Sequence, residues 1–243
     1  MMNAPAPGLR RPMDMGQIIE GAIRLYRLNF GEFLAIAAVT LPASAAGAIV
    51  GGFIGNAVAS IVVTAVLAIP SVIIGIIAQA AIALGVAGAA DGVAPHFESI
   101  YGRVLPRVGA LLLTALRVFV VVMALFVTII GIPFGVYLAV RWAFFTQAVI
   151  IEGESSTGAI DLSARIVKGY WWRTLGILVM LAILASLPTA AVSLIFAAAS
   201  PVAANLAVAV VGVIVFPFSA GAITLLFFDL QSRERERAGI AGE

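Results

Sequence analysis

Six long apolar runs constrain this chain more than any other feature of its sequence. They cover residues 31–54, 57–90, 109–132, 134–152, 171–199 and 202–230. A run of about 18 or more apolar residues is long enough to cross the hydrocarbon core of a bilayer as a helix. Charged residues make up only 11% of the chain, against about 25% in soluble domains. The sequence therefore predicts an all-α polytopic membrane protein with six transmembrane helices.

The basic residues predict how these spans are oriented. Of the 14 Lys and Arg, all but Arg117 and Arg141 lie before the first run, between the second and third, between the fourth and fifth or at the very start of the fifth (Arg173), or after the sixth. The opposite turns, near residues 55–56, 132–133 and 200–201, contain no charge. The positive-inside rule then places both termini in the cytoplasm. This count requires the run 57–90, which contains Pro70, to cross once, either as one kinked helix or as a broken one.

Residues 13–30 predict an amphipathic helix ahead of the first span. At about 100° per residue, most apolar side chains fall on one side, whereas Glu20, Arg24 and Arg27 fall on the other. Such a helix is expected to lie in the headgroup plane of the membrane. The alternative is an ordinary helix that packs on the protein's own loops.

An internal repeat supports the same organisation. An offset of 141 residues places Glu20 on Asp161, Arg24 on Arg165, Arg27 on Lys168 and Phe30 on Trp171. A weaker middle copy contains Arg103 and Arg107. In each strong copy the acid and the arginine four residues later can pair along one helix face. Chance similarity between amphipathic segments is the alternative.

The repeat predicts a single transmembrane domain, 13–230, with a pseudo-threefold arrangement. Its units are 13–91, 92–153 and 154–230, each an interfacial helix followed by two spans. The segments 1–12 and 231–243 are then a flexible N-terminal tail and a charged cytoplasmic tail.

Two blocks of sequence point to a family. The segment RPMDMGQIIEGAIRLYRLNFGEFLAIAAVTLP and the segment VRWAFFTQAVIIEGESSTGAIDLSARIVKGYWWRTLG carry the motifs. They resemble the membrane domain that is fused to some bacterial glycerophosphoryl diester phosphodiesterases and also occurs alone. The matching positions in the second block are Arg141 and Trp142, Glu152 and Gly153, Ala159, Ser163, Lys168 and Gly169, and Trp171 or Trp172. The resemblance implies a non-catalytic domain of the bacterial inner membrane.

The inventory of reactive side chains predicts no catalysis. The chain has no Cys and only one His, and it lacks the common hydrolase, zinc-protease and phosphate-loop motifs. We expect no cofactor and no metal, because Asp91, His96 and Glu98 suit a solvated turn better than a metal site. The basic residues are scattered singly, which favours anionic lipid headgroups over nucleic acid as partners.

Two arginines inside predicted spans are the strongest candidates for a functional role. Unbroken helices would place Arg117 and Arg141 roughly 12 to 16 Å deep, where a charged residue needs compensation. Candidate partners are Glu152, Asp229, Gln79, Gln147 and backbone carbonyls, or else a lipid phosphate or anionic solute. Snorkelling towards the headgroups suits Arg117. For Arg141 internal pairing, a ligand role and snorkelling all remain open.

Small residues at a spacing of four predict close helix packing. Gly47, Gly51 and Gly55 form one such set, and Ala81, Gly85 and Ala89 form another. The first set serves packing within the chain or homodimerisation, and the oligomeric state stays open.

These features favour a non-catalytic envelope, lipid-interacting or scaffold module, with membrane lipids and a further membrane or peripheral protein as partners. The alternative is a transporter or permease subunit for an anionic solute or lipid. A transporter should have a polar cavity at membrane depth lined by Arg141, Gln79 and Gln147, whereas a scaffold should close these groups upon one another.

Reporter fusions test the predicted topology. Fusions after Gly55, Pro133 and Pro201 should report a periplasmic location, whereas fusions after Gly92, Glu154 and Arg237 should report a cytoplasmic one. A periplasmic signal at Glu154 would contradict both the number of spans and the repeat.

Overall fold

The computed structural model describes residues 9–53, 57–196 and 201–239, and all regular structure within these ranges is helical. In chain order the helices are α1 (Met15–Leu28), α2 (Phe30–Ala38), α3 (Leu41–Phe53), α4 (Ala57–Ala90), α5 (Phe97–Val104), α6 (Val108–Phe126), α7 (Gly131–Arg141), α8 (Phe145–Ile150), α9 (Ser156–Val167), α10 (Trp171–Phe196) and α11 (Pro201–Arg237). A single 3-10 turn, Leu105–Arg107, joins α5 to α6.

Five helical segments among the described residues are long and apolar enough to cross a membrane. They are Ile61–Ala90, Phe97–Phe126, Gly131–Ile150, Trp171–Phe196 and Val202–Arg237. The pair Phe30–Ala38 and Leu41–Gly47, bent by 47°, adds a sixth only if it is one broken span. The chain is thus a helical protein of the multi-pass membrane type, and the predicted number of six spans depends on this bent pair.

The run that contains Pro70 is one continuous helix. Helix α4 has 34 residues, which at 1.5 Å per residue gives a length of about 51 Å. That exceeds the roughly 30 Å hydrocarbon core of a bilayer. Its last turns, from Ala78 to Ala87, lie inside the protein, while Ile61 and Ile69 near its start are exposed. One end of α4 therefore belongs to a packed core and the other to a lipid-facing surface.

The same contrast divides the whole bundle. We call the end that carries Arg10, Asp91, Glu152 and Lys168 the charged end, and the end that carries the turn 127–130 the apolar end. The largest fully buried side chains at the charged end come from segments far apart in the chain and include Ile18, Phe33, Ile82, Phe144, Ile166 and Phe228. Towards the apolar end many large aliphatic and aromatic side chains are exposed, among them Val66, Phe119, Ile129 and Leu194. Exposed apolar surface on this scale suits contact with lipid rather than water.

Helix α1 begins at a capping box. The Asp14 carboxylate accepts a hydrogen bond from the Gln17 N–H at 2.8 Å, and the Gln17 side chain accepts one from the Asp14 N–H at 3.1 Å. Two backbone donors of the first turn are satisfied in this way. The apolar residues Ile18, Ala22 and Leu25 are buried, as the amphipathic pattern predicts.

The surface that covers α1 differs from the first expectation. The N–H of Met13 donates to Asp229 of α11 at 2.7 Å, and the Tyr26 hydroxyl donates to the carbonyl of Ile214 at 2.8 Å. Fifteen residues of α11, about 22 Å, separate these two anchors. Helix α1 therefore runs along α11, and the protein itself covers Ile18, Ala22 and Leu25, whereas Ile23 on the same face stays exposed. Burial also raises the pKa of the Tyr26 phenol above its ordinary value, so this hydroxyl stays a donor.

The other two amphipathic segments, α5 and α9, take different forms. Helix α5 continues through the 3-10 turn into α6 without a loop. Helix α9 has Ser155 as its N-cap, which accepts a hydrogen bond from the Gly158 N–H at 3.2 Å. The aromatic residues that the repeat aligns, Phe30 and Trp171, each begin the next helix. The threefold sequence repeat itself stays a prediction.

A break interrupts the fourth apolar run. Helix α7 ends at Arg141 and α8 begins at Phe145, so backbone groups at the break lose their helical partners. Ser163 of α9, which is fully buried, replaces them: its Oγ donates to the carbonyl of Arg141 at 2.9 Å and accepts from the N–H of Phe144 at 3.1 Å. One hydroxyl thus holds both sides of the break.

We expect Ser163→Ala to lower the free energy of unfolding by about 1–3 kcal/mol, because a buried N–H and a carbonyl lose their partner. Thermal unfolding of the purified protein in detergent measures the loss. Ser186→Ala is the matched control, since its hydroxyl is exposed and bonds only within α10. Equal melting temperatures for the two variants would show that the Ser163 hydroxyl does not stabilise the α7–α8 break.

Candidate functional site

A buried carboxylate on α11 joins three parts of the chain. Asp229 is 0% exposed and accepts hydrogen bonds from Arg173 at 2.5 Å, from Arg233 at 2.8 Å and from the Met13 N–H. The same two guanidinium groups donate to the carbonyl of Met13, at 2.7 and 3.1 Å. We call these four residues the Asp229 cluster. A buried charge is tolerated when it is paired and hydrogen-bonded in this way.

The residues ahead of α1 extend this attachment. Arg10 pairs with Asp91 at the end of α4 at 3.1 Å, and its guanidinium lies 4.7 Å from the ring centre of Phe228. The segment from Arg10 to Met13 therefore ties the start of α1 to α4, α10 and α11. Arg10 and Asp91 are both exposed, so their own pair contributes little to stability.

The helix that carries Arg141 ends at this residue. The indole N–H of Trp171, the first residue of α10, donates to the carbonyl of Tyr137 at 3.1 Å. This contact sets Tyr137 level with the start of α10, and Arg141 one turn nearer the charged end. The predicted depth assumed an unbroken helix to Glu152. That assumption is wrong because α7 ends at Arg141, although Gly131–Ile150 as a whole is still long and apolar enough to cross a membrane. The depth of Arg141 in a bilayer therefore stays a prediction.

The expected pairing of Arg141 is also wrong. Within the described ranges no carboxylate lies within 4 Å of its guanidinium, because Asp229 binds Arg173 and Arg233, and Glu152 accepts from Gln231 at 3.0 Å. The nearest recorded partner is the ring of Tyr137, with its centre 5.9 Å from Cζ. That distance is close to the outer limit of a cation–π contact.

Arg117 reaches a polar group of the protein itself, and its snorkelling towards the headgroups stays a prediction. It is exposed, and its guanidinium donates to the Ser156 hydroxyl at the start of α9 at 3.0 Å. Its long side chain therefore ends at a polar helix terminus rather than in the apolar interior.

The two glutamines are not brought together with Arg141 in a polar cavity. Gln147 is 0% exposed, and neither its Oε1 nor its Nε2 has a partner among the described residues. Gln79 is half-buried, and no hydrogen bond of its side chain is recorded in the described part of the chain. The polar groups are thus neither gathered around a cavity nor closed upon one another.

The residues predicted for the membrane surface are all exposed: Glu20, Arg24, Arg27, Arg103, Arg107, Asp161, Arg165 and Lys168. The expected pairs along the helix are wrong, since Glu20 and Arg24 form no ion pair and Arg165 binds Glu234 at 3.0 Å instead of Asp161. Helix α9 packs on the end of α11, which supplies a nearer acid than its own previous turn.

Arg107 and two glycines show why the second block has its pattern. The Arg107 guanidinium donates to the carbonyls of Val149 and Ile150 at the end of α8, at 3.2 and 2.9 Å. Gly153 (φ +75°) lies against that guanidinium, and Gly169 (φ +86°) ends α9 against Arg237. A residue with a Cβ would be strained at both positions.

The two sets of small residues differ in their packing. A Cβ at Gly85 would lie 2.8 Å from Phe33, so this glycine permits the close approach of α2 to α4. At Gly47 a Cβ would meet no described atom within 4 Å. Gly51 is described only as helical backbone, and Gly55 lies outside the described residues.

A large apolar cavity lies between α4, α6 and the α7–α8 break. Its volume is about 950 Å³. It opens to the bundle surface, since Ile69, Leu116 and Phe119 line it and are exposed. Small residues give it room: Ala65, Ala68, Ala115, Ala139 and Ala143. Trp142 and Phe145 close it towards the charged end, and no charged residue, Gln79 or Gln147 contributes to its lining.

Sequence reasoning missed the Asp229 cluster as a unit, although it named Asp229 as a candidate partner. The signal was present, because Asp229 is the only acid inside the last apolar run and Arg233 follows four residues later. Arg173, only two residues into α10, adds a second cation, so the cluster carries one net positive charge.

Comparison with protein-family models, with curated proteins and with solved structures gives no match. The resemblance to the phosphodiesterase membrane domain therefore stays a prediction.

We expect Asp229→Asn to destabilise the protein by about 3–5 kcal/mol, because two arginines at the edge of the core lose their counter-charge. The melting temperature in detergent should fall. Trypsin should also cleave faster after Arg10, because a neutral amide attracts Arg173 and Arg233 less strongly and the cluster then holds Met13 less firmly. Asp161→Asn is the control, since this exposed carboxylate has no recorded ion pair. If Asp229→Asn melted like the control, the cluster would not be the main tie at the charged end.

Proposed function

We propose that this chain is a non-catalytic protein of the bacterial inner membrane whose role is to bind lipid. The observation that carries the proposal is the apolar cavity of about 950 Å³ between α4, α6 and α7. This volume is near the upper end of the range of ligand pockets in proteins, roughly 300 to 1,000 Å³. An apolar cavity of that size suits the acyl tails of a membrane lipid.

The position of the cavity supports the same occupant. Its walls are the middle parts of two apolar helices, from Ala65 to Ile76 on α4 and from Leu112 to Met123 on α6, together with the α7–α8 break. In a bilayer these parts lie among acyl chains, so a lipid tail reaches the cavity sideways without crossing a polar layer. A transported anion would instead need charged or hydrogen-bonding groups along its path.

In this proposal the distribution of basic residues sets the orientation of the protein in the membrane. The charged end holds most of the basic residues, and the positive-inside rule places it in the cytoplasm together with both termini. The exposed arginines there, Arg24, Arg27 and Arg103, favour anionic headgroups of the inner leaflet. The same surface is available to a peripheral protein partner.

Filling the cavity tests the proposal. Ala115→Phe and Ala139→Phe place a ring in the cavity from α6 and from α7. We expect the wild-type protein, purified in mild detergent, to retain lipid in native mass spectra, and the double variant to retain at most about one tenth as much. The physical reason is that the two rings occupy the space that the lipid tails would fill, so the lipid loses its buried apolar contacts.

Ala124→Phe is the matched control, because Ala124 is on α6 and exposed but does not line the cavity. It adds the same ring to the opposite face and should leave retention unchanged. A wild-type protein that retains no lipid, or a double variant that retains as much as the control, would overturn the proposed function.

A further inference from the structure

Arg141 is a cation for which the structure provides no anion. A guanidinium offers five N–H donors in a plane, yet the side chain of Arg141 has no recorded hydrogen bond or ion pair in the described ranges. Its one recorded contact is with the ring of Tyr137. The residue is only half-buried, so its donors remain accessible from outside the bundle. A charge in this position needs either bulk water or an anionic ligand.

Aromatic side chains continue from Arg141 towards the apolar end. Phe134 and Tyr137 precede it by seven and four residues, so the three share one face of α7. Phe134 is 61% exposed and Tyr137 44%. This face therefore presents an uncovered apolar stripe that ends in a positive charge.

The start of α10 forms the second wall. Trp171 lies against Tyr137, with ring centres 5.7 Å apart, and Trp172 lies edge-on to Trp171 at 4.6 Å. Trp172 is 79% exposed. Tryptophan and tyrosine concentrate where the acyl chains meet the headgroups, so their position places Arg141 at the depth of lipid phosphates.

Other cations near this wall already have their own partners. Arg173 binds Asp229 and the carbonyl of Met13, and Arg117 binds Ser156. On α7, Ala139 lines the apolar cavity, and the helical period turns it about 160° away from Arg141. The Arg141 stripe and the cavity are therefore two separate surfaces.

We propose that Arg141 binds the phosphate of a membrane glycerophospholipid, one acyl tail of which lies along Tyr137 and Phe134. The planar guanidinium matches two phosphate oxygens at once. The Ser163 hydroxyl donates a hydrogen bond to the carbonyl of Arg141 and so fixes the C-terminal end of α7, which carries the Arg141 guanidinium. This inference rests on the proposed lipid-binding function and adds the headgroup chemistry and a second position.

Lipid titration with native mass spectrometry tests the site on the full-length protein in detergent. The probes are phosphatidylglycerol and diacylglycerol, which have similar tails but differ in the phosphate. We expect the wild type to bind phosphatidylglycerol about tenfold or more tightly than diacylglycerol, and Arg141→Gln to lose that preference. Arg141→Lys should keep part of it, because the charge remains and the bidentate geometry does not.

Arg117→Gln is the matched control, since it also removes one arginine from an apolar run but one that binds Ser156. It should leave the preference for phosphatidylglycerol unchanged. Arg141→Gln should melt like the wild type once lipid is removed, because no ion pair is lost.

Three outcomes would overturn the inference. One is an Arg141→Gln variant that binds phosphatidylglycerol as tightly as the wild type. Another is equal loss in the Arg117→Gln control. A third is stabilisation of delipidated protein by inorganic phosphate that depends on Arg141, which would make the ligand a free anion. If only the cavity-filled variant lost lipid, the proposed function would stand while the Arg141 site failed.

Discussion

The charged end of this protein depends on one buried carboxylate. Asp229 has no contact with solvent and pairs with both Arg173 and Arg233, while Met13 uses both of its backbone groups in the same cluster. The three segments involved are far apart in sequence, so the cluster closes the chain into one body. Helix α1, which follows Met13, then lies along α11, and this contact helps to bury the apolar residues of α1.

The break at Trp142–Phe144 determines where the remaining candidates lie. An unbroken helix would have kept Arg141 deep in the bilayer, in need of an internal acid. The break instead ends α7 at Arg141, one turn beyond the level of Trp171, and α8 enters the core, where Thr146 to Ile150 are all buried. Ser163 makes this geometry tolerable because its hydroxyl satisfies both interrupted backbone groups. Burial of α8 leaves the side-chain amide of Gln147 without a hydrogen-bond partner among the described residues.

Local features of the fold could be predicted from the sequence, whereas partners across the fold could not. The long apolar runs, the amphipathic helix after Asp14 and the glycine ends at Gly153 and Gly169 depend on residues close to one another in the chain. The partner of each charge depends on which helices meet. Arg165 binds Glu234 rather than Asp161, and Asp229 binds Arg173 rather than Arg141. No spacing rule within a helix distinguishes these choices, because each bond spans at least 56 residues.

Because the two ends are packed unequally, the surrounding medium contributes to the stability of the fold at the apolar end only. At the charged end the side chains are buried by other side chains, and their contacts persist in any medium that keeps the protein folded. At the apolar end Val66, Phe119 and Leu194 are covered by whatever surrounds the bundle. The length and saturation of the lipid acyl chains and the lateral pressure of the bilayer therefore act on the spacing of the helices at that end. Detergent micelles, which lack such pressure, perturb this half first.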